Sequence, residues 1–148
     1  MKEDKIVQLT HLLFRFAPEF RRDYSMPVKF AAEKRMPHHM LFCLMILKRH
    51  GEESMSSLAD KLGVSNQQMT RIVNAMVADG YAARRYDDQN RRQIFVSITQ
   101  KGADTVLRYF RLGQEHIRKH LSQLSEEDVD AFIFHLEGIK KILEKIKE

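Results

Sequence analysis

Polar side chains that could recognise another molecule are concentrated between Ser65 and Asn74. This segment carries amide side chains, hydroxyl groups and an arginine, and no acidic residue occurs before Asp79. Amides can pair with adenine edges, and arginine can pair with guanine edges, in the major groove of DNA. A solvated polar helix face is the alternative. The side chains predicted to face DNA from this segment are Ser65, Asn66, Gln67, Gln68, Thr70, Arg71 and Asn74.

Arginines cluster in the next part of the chain. Arg84, Arg91 and Arg92 lie on either side of a run of turn-forming residues that begins at Asp87. We predict that these arginines reach phosphates or a minor groove. Pairing of an arginine with Asp87 or Asp88, which would stiffen the turn, is the alternative, and both interpretations can hold together.

Serines at predicted helix starts position these side chains. Ser54 can cap a short helix that ends at Gly63, and Ser65 can cap a second helix, because a serine hydroxyl accepts hydrogen bonds from the free N–H groups of a first turn. Gln68 would complete a capping box with Ser65, and it cannot serve that box and a base at the same time. The hydroxyl groups of Ser54 and Ser56, or the helix amides beside them, can bind phosphates. The pattern predicts a helix-turn-helix.

A β-hairpin is predicted directly after the second helix. Ile94, Val96 and Ile98 alternate with other residues at a period of two, which is typical of a strand. Residues 81–85 form the opposing strand, and Asp87–Asn90 forms the turn. Because a helix of this kind fits the major groove and a basic hairpin beside it can reach the backbone or the minor groove, the order predicts a winged helix-turn-helix.

Further helices are predicted before this unit. Helical spacing of apolar residues covers Lys5–Arg22, where Pro18 either kinks the helix or ends it near Phe16. A strongly apolar helix then follows Pro37 and ends at Gly51, and its surface predicts burial on most faces.

Two long helices are predicted after the hairpin, the first capped by Thr99 and the second by Ser125. The apolar stripes of the first and last helices need a partner surface, and packing of both within one subunit is the alternative. We therefore predict a mainly α fold with a small β-hairpin wing in a single subunit, residues 1–148. The winged helix-turn-helix spans about residues 36–99, and dimerisation helices span about residues 1–35 and 100–148.

The composition favours a polyanionic partner. The chain has 148 residues, with 25 Lys and Arg against 20 Asp and Glu and a formal net charge of +5. Cys43 is the single cysteine, which excludes an internal disulfide. No secretory leader pattern or bilayer-length apolar run occurs, so we predict a cytoplasmic protein without membrane contact. No phosphate loop, nucleophile elbow, paired-cysteine motif or dinucleotide fingerprint occurs, so neither an enzyme nor a cofactor is predicted.

Three groups of residues could sense a signal. His116 and His120 lie four residues apart and could share a metal ion, completed by His38 and His39, but exposed surface histidines are the preferred interpretation. Cys43 could be redox-active, but its apolar neighbours indicate a buried, inert thiol. The side chains predicted to line a ligand pocket, or equally well an ordinary core, are Phe14, Phe16, Phe20, Phe30 and Met45.

The segment from Leu58 to Gly102 resembles the winged helix-turn-helix of the MarR family of bacterial regulators. The matching residues are Leu58-Ala59, Gly63-Val64-Ser65, Thr70-Arg71, Gly80-Tyr81, the Asp87 to Arg92 wing, and Ile98-Thr99 with Gly102. The order of the flanking helices is similar too, so the likeness covers essentially the whole chain. This sequence has Asn90 where the family's wing usually carries a second aspartate, and Asp88 where a proline is common.

The resemblance implies a homodimeric regulator that binds a pseudo-palindromic operator, usually represses, and responds to a small ligand, a metal or cysteine oxidation. We accordingly predict a sequence-specific repressor whose partners are double-stranded DNA, a second copy of the chain and a small-molecule effector. One alternative is a metal-sensing regulator that uses His116 and His120. Another is a winged-helix protein-interaction module, which acidic substitutions on the recognition face would favour, and these are absent.

Overall fold

The computed structural model describes residues 2–24, 36–88, 90 and 93–146. Within these ranges the chain forms six helices and three short strands. They are α1 (Lys2–Tyr24), α2 (His38–His50), β1 (Glu53–Ser54), α3 (Met55–Leu62), α4 (Asn66–Ala78), β2 (Ala82–Tyr86), β3 (Ile94–Ile98), α5 (Gln100–Leu121) and α6 (Glu126–Glu144). The chain divides into two compact units, Met1–Gly113 and Gln114–Glu148. The predicted fold class, mainly α with a small β-hairpin wing, is confirmed.

Helix α2 supplies much of the buried core of the first unit. Pro37 directly precedes the helix, as predicted. At the other end, the Gly51 N–H donates to the Leu47 carbonyl at 2.8 Å. Gly51 has a φ of +81°, a left-handed value that glycine adopts without a Cβ clash. The buried side chains of α2 are Met40, Leu41, Cys43, Leu44 and Leu47, which confirms the predicted burial.

The helix-turn-helix consists of α3 and α4, and both predicted serine caps are confirmed. Ser54 Oγ accepts from the Ser57 N–H at 3.2 Å, and Ser65 Oγ accepts from the Gln68 N–H at 3.2 Å. The predicted capping box at Ser65 is incomplete. Among the hydrogen bonds of the described residues, the Ser65 hydroxyl accepts from the Gln68 N–H, but the Gln68 side chain does not accept from the Ser65 N–H. The Gln68 side chain is therefore available to a ligand. The inward stripe of the two helices consists of Leu58, Ala59, Met69, Val73 and Met76, all of them buried.

The wing belongs to a three-stranded antiparallel sheet with strand order β1-β3-β2. Strands β2 and β3 form the predicted hairpin, with Arg84 opposite Val96 and Arg85 opposite Phe95. Strand β1 was not predicted, and it pairs with the free edge of β3, where Ser54 lies opposite Phe95. A strand of two residues is too short to show the alternation from which strands are predicted.

Contacts at the start of α5 join it to the end of α4 and to the residues before β2. Thr99 Oγ1 accepts from the Gly102 N–H at 3.1 Å and donates to the Gly80 carbonyl at 2.7 Å. A Cβ atom at Gly102 would lie 2.2 Å from the Tyr81 carbonyl oxygen, so only glycine allows this approach. The predicted Thr99 cap is thus confirmed, and it also fixes the position of the hairpin relative to α5.

Helices α1 and α6 are continuous over their full lengths. Helix α1 passes through Pro18, so the alternative that it ends near Phe16 is wrong.

In the second unit, Ser125 Oγ accepts from the Asp128 N–H at 3.1 Å, and the Asp128 carboxylate accepts from the Ser125 N–H at 3.3 Å. The predicted cap at Ser125 is confirmed, and Asp128 completes a capping box around it.

Apolar side chains are exposed along α1 and, separately, along α6. On α1 they are Ile6, Val7, Leu9, Leu12, Leu13, Phe14 and Phe16. On α6 they are Ile133, Phe134, Leu136, Ile139, Ile142 and Leu143. None of the helices in the described part of the chain is long and apolar enough to cross a membrane. Exposed apolar side chains that are grouped along one helix mark a surface that binds another molecule.

Candidate nucleic-acid interface

The polar face predicted to read DNA is the solvent-exposed face of α4. All seven residues predicted to face DNA from Ser65 to Asn74 are exposed, whereas Met69 and Val73 on the same helix are fully buried. The Thr70 hydroxyl donates to the Asn66 carbonyl at 2.9 Å, which leaves its oxygen free to accept a further hydrogen bond. The helix therefore presents amides, hydroxyls and the Arg71 guanidinium to solvent.

A groove of about 430 Å³ lies between the start of α3, the start of α4 and the wing. Its lining residues are Ser54, Met55, Ser56, Asn66, Thr70, Asn90, Gln93 and Ile94. Four of these were predicted from the sequence as DNA contacts, and the structure brings them together. Asn90 and Gln93 were not predicted, because they belong to the wing and reach the groove only once the hairpin has formed.

Arg84 and Asn74 were both predicted to contact DNA, and the structure pairs them with each other. Arg84 lies opposite Val96 on the sheet face that contributes to the core. One guanidinium nitrogen of Arg84 donates to the Asn74 side-chain oxygen. The Arg84 Nε atom is buried, and it has no hydrogen-bond partner in the described part of the chain. The pair links the wing directly to α4.

Arg85, the next residue of β2, forms an ion pair that the sequence did not reveal. Its Nε atom lies 3.2 Å from each carboxylate oxygen of Glu52, and its guanidinium lies 4.8 Å from the Phe95 ring centroid. The hydrogen bond from Arg85 lowers the pKa of Glu52, and Glu52 in turn raises the pKa of Arg85, with a smaller contribution from Asp87 and Asp88. Arg85 therefore interacts mainly with Glu52, and the predicted pairing with Asp87 or Asp88 adds only a weaker attraction.

The remaining predicted wing contacts, Arg91 and Arg92, lie outside the described residues. Their role as DNA contacts stays a prediction. Their chain neighbours Asn90 and Gln93 line the groove beside α4.

The candidate sensor residues differ in their surroundings. The Cys43 side chain is fully buried, and burial raises the pKa of its thiol to about 12. The thiol therefore stays protonated at neutral pH, which agrees with the inert interpretation. The rings of His116 and His120 lie 4.1 Å apart between centroids with an interplanar angle of 38°, and His120 Nδ1 lies 3.2 Å from the His116 carbonyl oxygen. No cluster of three or more potential metal ligands occurs among the described residues.

A larger cavity of about 840 Å³ lies within the first unit, beside α2. Of the five predicted wall residues, Met45 lines it, whereas Phe14, Phe16 and Phe20 belong to α1 and do not; Phe30 lies outside the described residues. Its apolar lining is Phe42, Met45, Ile46, Leu62, Val106 and Phe110. Its ionisable lining is His38, His39, Lys48, Arg49, His50 and Lys61.

Two capped helices with a polar outer face, followed by a β-hairpin packed against the second of them, define a winged helix-turn-helix protein. Residues 38–94 match the family model described as the MarR family. The resemblance to the MarR family noted from the sequence is confirmed over this part of the chain.

Two relatives and one solved structure are also similar to this chain. The HTH-type transcriptional regulator YfiV of Bacillus subtilis (strain 168) is 26% identical over 105 residues, which cover 71% of this chain and 66% of YfiV. The HTH-type transcriptional repressor MdtR of the same organism is 30% identical over 90 residues, which cover 60% of this chain and 57% of MdtR. The matches thus span two thirds or less of these two relatives. A MarR family protein from Bacillus stearothermophilus has the same fold, with a TM-score of 0.77 at 18% identity over 97% of this chain and 98% of that one. The relatives are transcriptional regulators, which agrees with the prediction that the chain is not an enzyme.

Proposed function

We propose that this protein is a homodimeric transcriptional repressor that binds a pseudo-palindromic DNA operator. Helix α4 lies in the major groove in this proposal, and the wing contacts the adjoining backbone or minor groove. The name of the relative MdtR as a repressor supports the direction of regulation.

The observation that carries the proposal is the continuity between the exposed face of α4 and the groove beside the wing. Asn66 and Thr70 belong to both, and Ser54 and Ser56 extend the same polar surface to the start of α3. Amides and Arg71 in the middle of this surface suit base edges, whereas hydroxyl groups at its margin suit phosphates. Helix α4 contains no acidic residue, so this surface does not repel a polyanion.

The exposed apolar faces of α1 and α6 support the homodimer. A second copy supplies an apolar surface of the same kind to each of them, as a two-fold interface requires. Two copies also present two α4 helices, which read two half-sites about one helical turn apart, roughly 34 Å.

Replacement of Arg71 by alanine tests the reading face. We expect a loss of about 1–3 kcal/mol in binding to a duplex that the wild-type protein selects from a random-sequence pool. Binding to unselected DNA should change little, because Arg71 contributes through a base and not through charge alone. Arg118→Ala, which removes an exposed arginine from α5, is the matched control and should leave both affinities unchanged.

The comparison also separates the competing functions. An equal loss on all sequences would assign Arg71 to a phosphate and contradict base reading. Selection of no sequence from the pool would contradict operator binding and favour the protein-interaction module.

We also propose that the cavity beside α2 binds the effector, and that the effector is a small organic anion with an aromatic or aliphatic body. Phe42, Met45 and Phe110 supply an apolar wall, and Lys48 and Arg49 supply positive charge at the same cavity. A volume of about 840 Å³ suits a drug-sized molecule.

The cavity proposal is tested with 2-naphthoate as the probe in isothermal titration calorimetry. We expect Arg49→Ala to weaken its binding about tenfold or more, because a hydrogen bond to a charged group contributes about 1.5–3 kcal/mol. The neutral analogue 2-naphthamide should bind to the wild type more weakly than 2-naphthoate does. Its affinity should be the same for the wild type and for Arg49→Ala. Equal binding of the acid to both proteins would contradict the assigned site.

A further inference from the structure

The two arginines of β2 leave opposite faces of the wing sheet. Successive side chains of a strand alternate between faces, so Arg84 and Arg85 point in opposite directions. Arg84 shares the core face with Val96 and Glu53, which lie in register across the three strands. Arg85 lies in the next row, opposite Phe95 of the central strand, with Ser54 on the far side.

On the outer face, Arg85 reaches across the whole sheet. Its partner Glu52 directly precedes β1, the strand at the opposite edge from β2. The guanidinium crosses the Phe95 ring to reach this carboxylate, and its nitrogen atoms contact both oxygens. A fork of this kind fixes orientation as well as distance.

On the core face, Arg84 connects β2 with α4. Its guanidinium is bonded to Asn74, and its buried Nε atom faces no solvent. Contact of this nitrogen with DNA would require the side chain to leave its packed position. Asn74 is likewise occupied through its side-chain oxygen, the atom that would accept from an adenine amino group.

We propose that Arg84 and Arg85, through Asn74 and Glu52, act as a wing clamp. The clamp sets the position of the hairpin relative to α4, and neither arginine contributes chiefly by touching DNA. The inference rests on the proposed operator binding, and it reassigns Asn74 and Arg84 from direct contacts to positioning residues. Arg71, Arg91 and Arg92 remain the arginines assigned to DNA contact.

The clamp is tested by exchanging the charges of Glu52 and Arg85. The clamp and direct phosphate contact predict opposite changes in the affinity of Glu52→Arg for the selected duplex. Glu52→Arg adds positive charge near the wing, so direct contact of Arg85 with phosphates predicts equal or tighter binding to the selected duplex. The clamp predicts a loss of about three- to tenfold, because two arginines now repel each other. The double variant Glu52→Arg with Arg85→Glu restores the pair and should bind within about twofold of the wild type. Arg85→Glu alone should bind weakly.

A readout without DNA separates failure of the clamp from failure of operator binding. Amide hydrogen exchange of β2 and β3 should accelerate in Glu52→Arg and return to the wild-type rate in the double variant. Unchanged exchange in Glu52→Arg, or a double variant that binds DNA as weakly as Arg85→Glu, would overturn the clamp. If the wild type binds no duplex, the operator proposal fails, and the exchange rates still decide the clamp.

The inner half of the clamp is tested by a double-mutant cycle. Asn74→Ala and Arg84→Met should each weaken binding, and the double variant should be no weaker than either, because one link is broken in all three. Additive losses would mean that both residues contact DNA independently and would overturn their assignment as positioning residues.

Discussion

Replacement of Ile139 by aspartate is expected to convert the protein into monomers and to abolish tight binding to a duplex with two half-sites. Ile139 is 50% exposed in the isolated chain, so the substitution leaves the subunit's own core untouched. In the proposed dimer both copies of Ile139 are covered, and burial of the exposed half of each side chain contributes about 0.8–1.5 kcal/mol. Aspartate loses this contribution in both copies and adds the cost of burying two charges. The dissociation constant of the dimer should therefore rise by at least about 100-fold.

Analytical ultracentrifugation at micromolar concentration measures this directly. Lys141→Asp is the matched control, because it introduces the same residue at an exposed position on the opposite side of α6. The control should remain dimeric. A dimeric Ile139→Asp protein would show that α6 lies outside the interface, and a wild-type monomer would contradict the dimer altogether.

Replacement of Leu44 by alanine is expected to lower the free energy of unfolding by about 2–5 kcal/mol. Leu44 is fully buried in the cluster that joins α2 to α3, α4 and β3. The neighbouring backbone cannot close completely around the lost side chain, so a cavity remains where its methyl groups packed. Since a domain of this size is stabilised by about 5–15 kcal/mol, the variant sits near the limit of folding.

Urea unfolding followed by circular dichroism gives the size of this effect. Leu107→Ala removes the same atoms from a side chain that is 44% exposed on α5, and it should change the free energy much less. Equal losses in the two variants would show that Leu44 does not occupy a close-packed core.

Local signals in the sequence predicted most of the fold. Each of the caps at Ser54, Ser65 and Ser125 joins a serine to a residue three positions later, and all three caps form as expected. The burial of α2 followed from its nearly continuous apolar surface, because such a helix is stable only when packed on most sides. The reading face of α4 was identified because polar and apolar residues separate at helical spacing.

Contacts between distant residues could not be predicted in the same way. Glu52 and Arg85 are 33 positions apart and meet only because β1 and β2 lie on either side of β3. Arg84 was assigned to DNA because of its charge, whereas the register opposite Val96 places it on the core face. A shift of one residue in that register would exchange the roles of the two arginines, and the sequence does not define the register closely enough.

Specific operator binding by two chains is tested by a titration of the selected duplex, with random competitor DNA, at two salt concentrations. We expect a competitor-resistant complex of two chains per duplex, with an affinity that falls moderately as salt rises. Weak binding that competitor abolishes, or one chain per duplex at saturation, would contradict a homodimeric reader of a two-half-site operator.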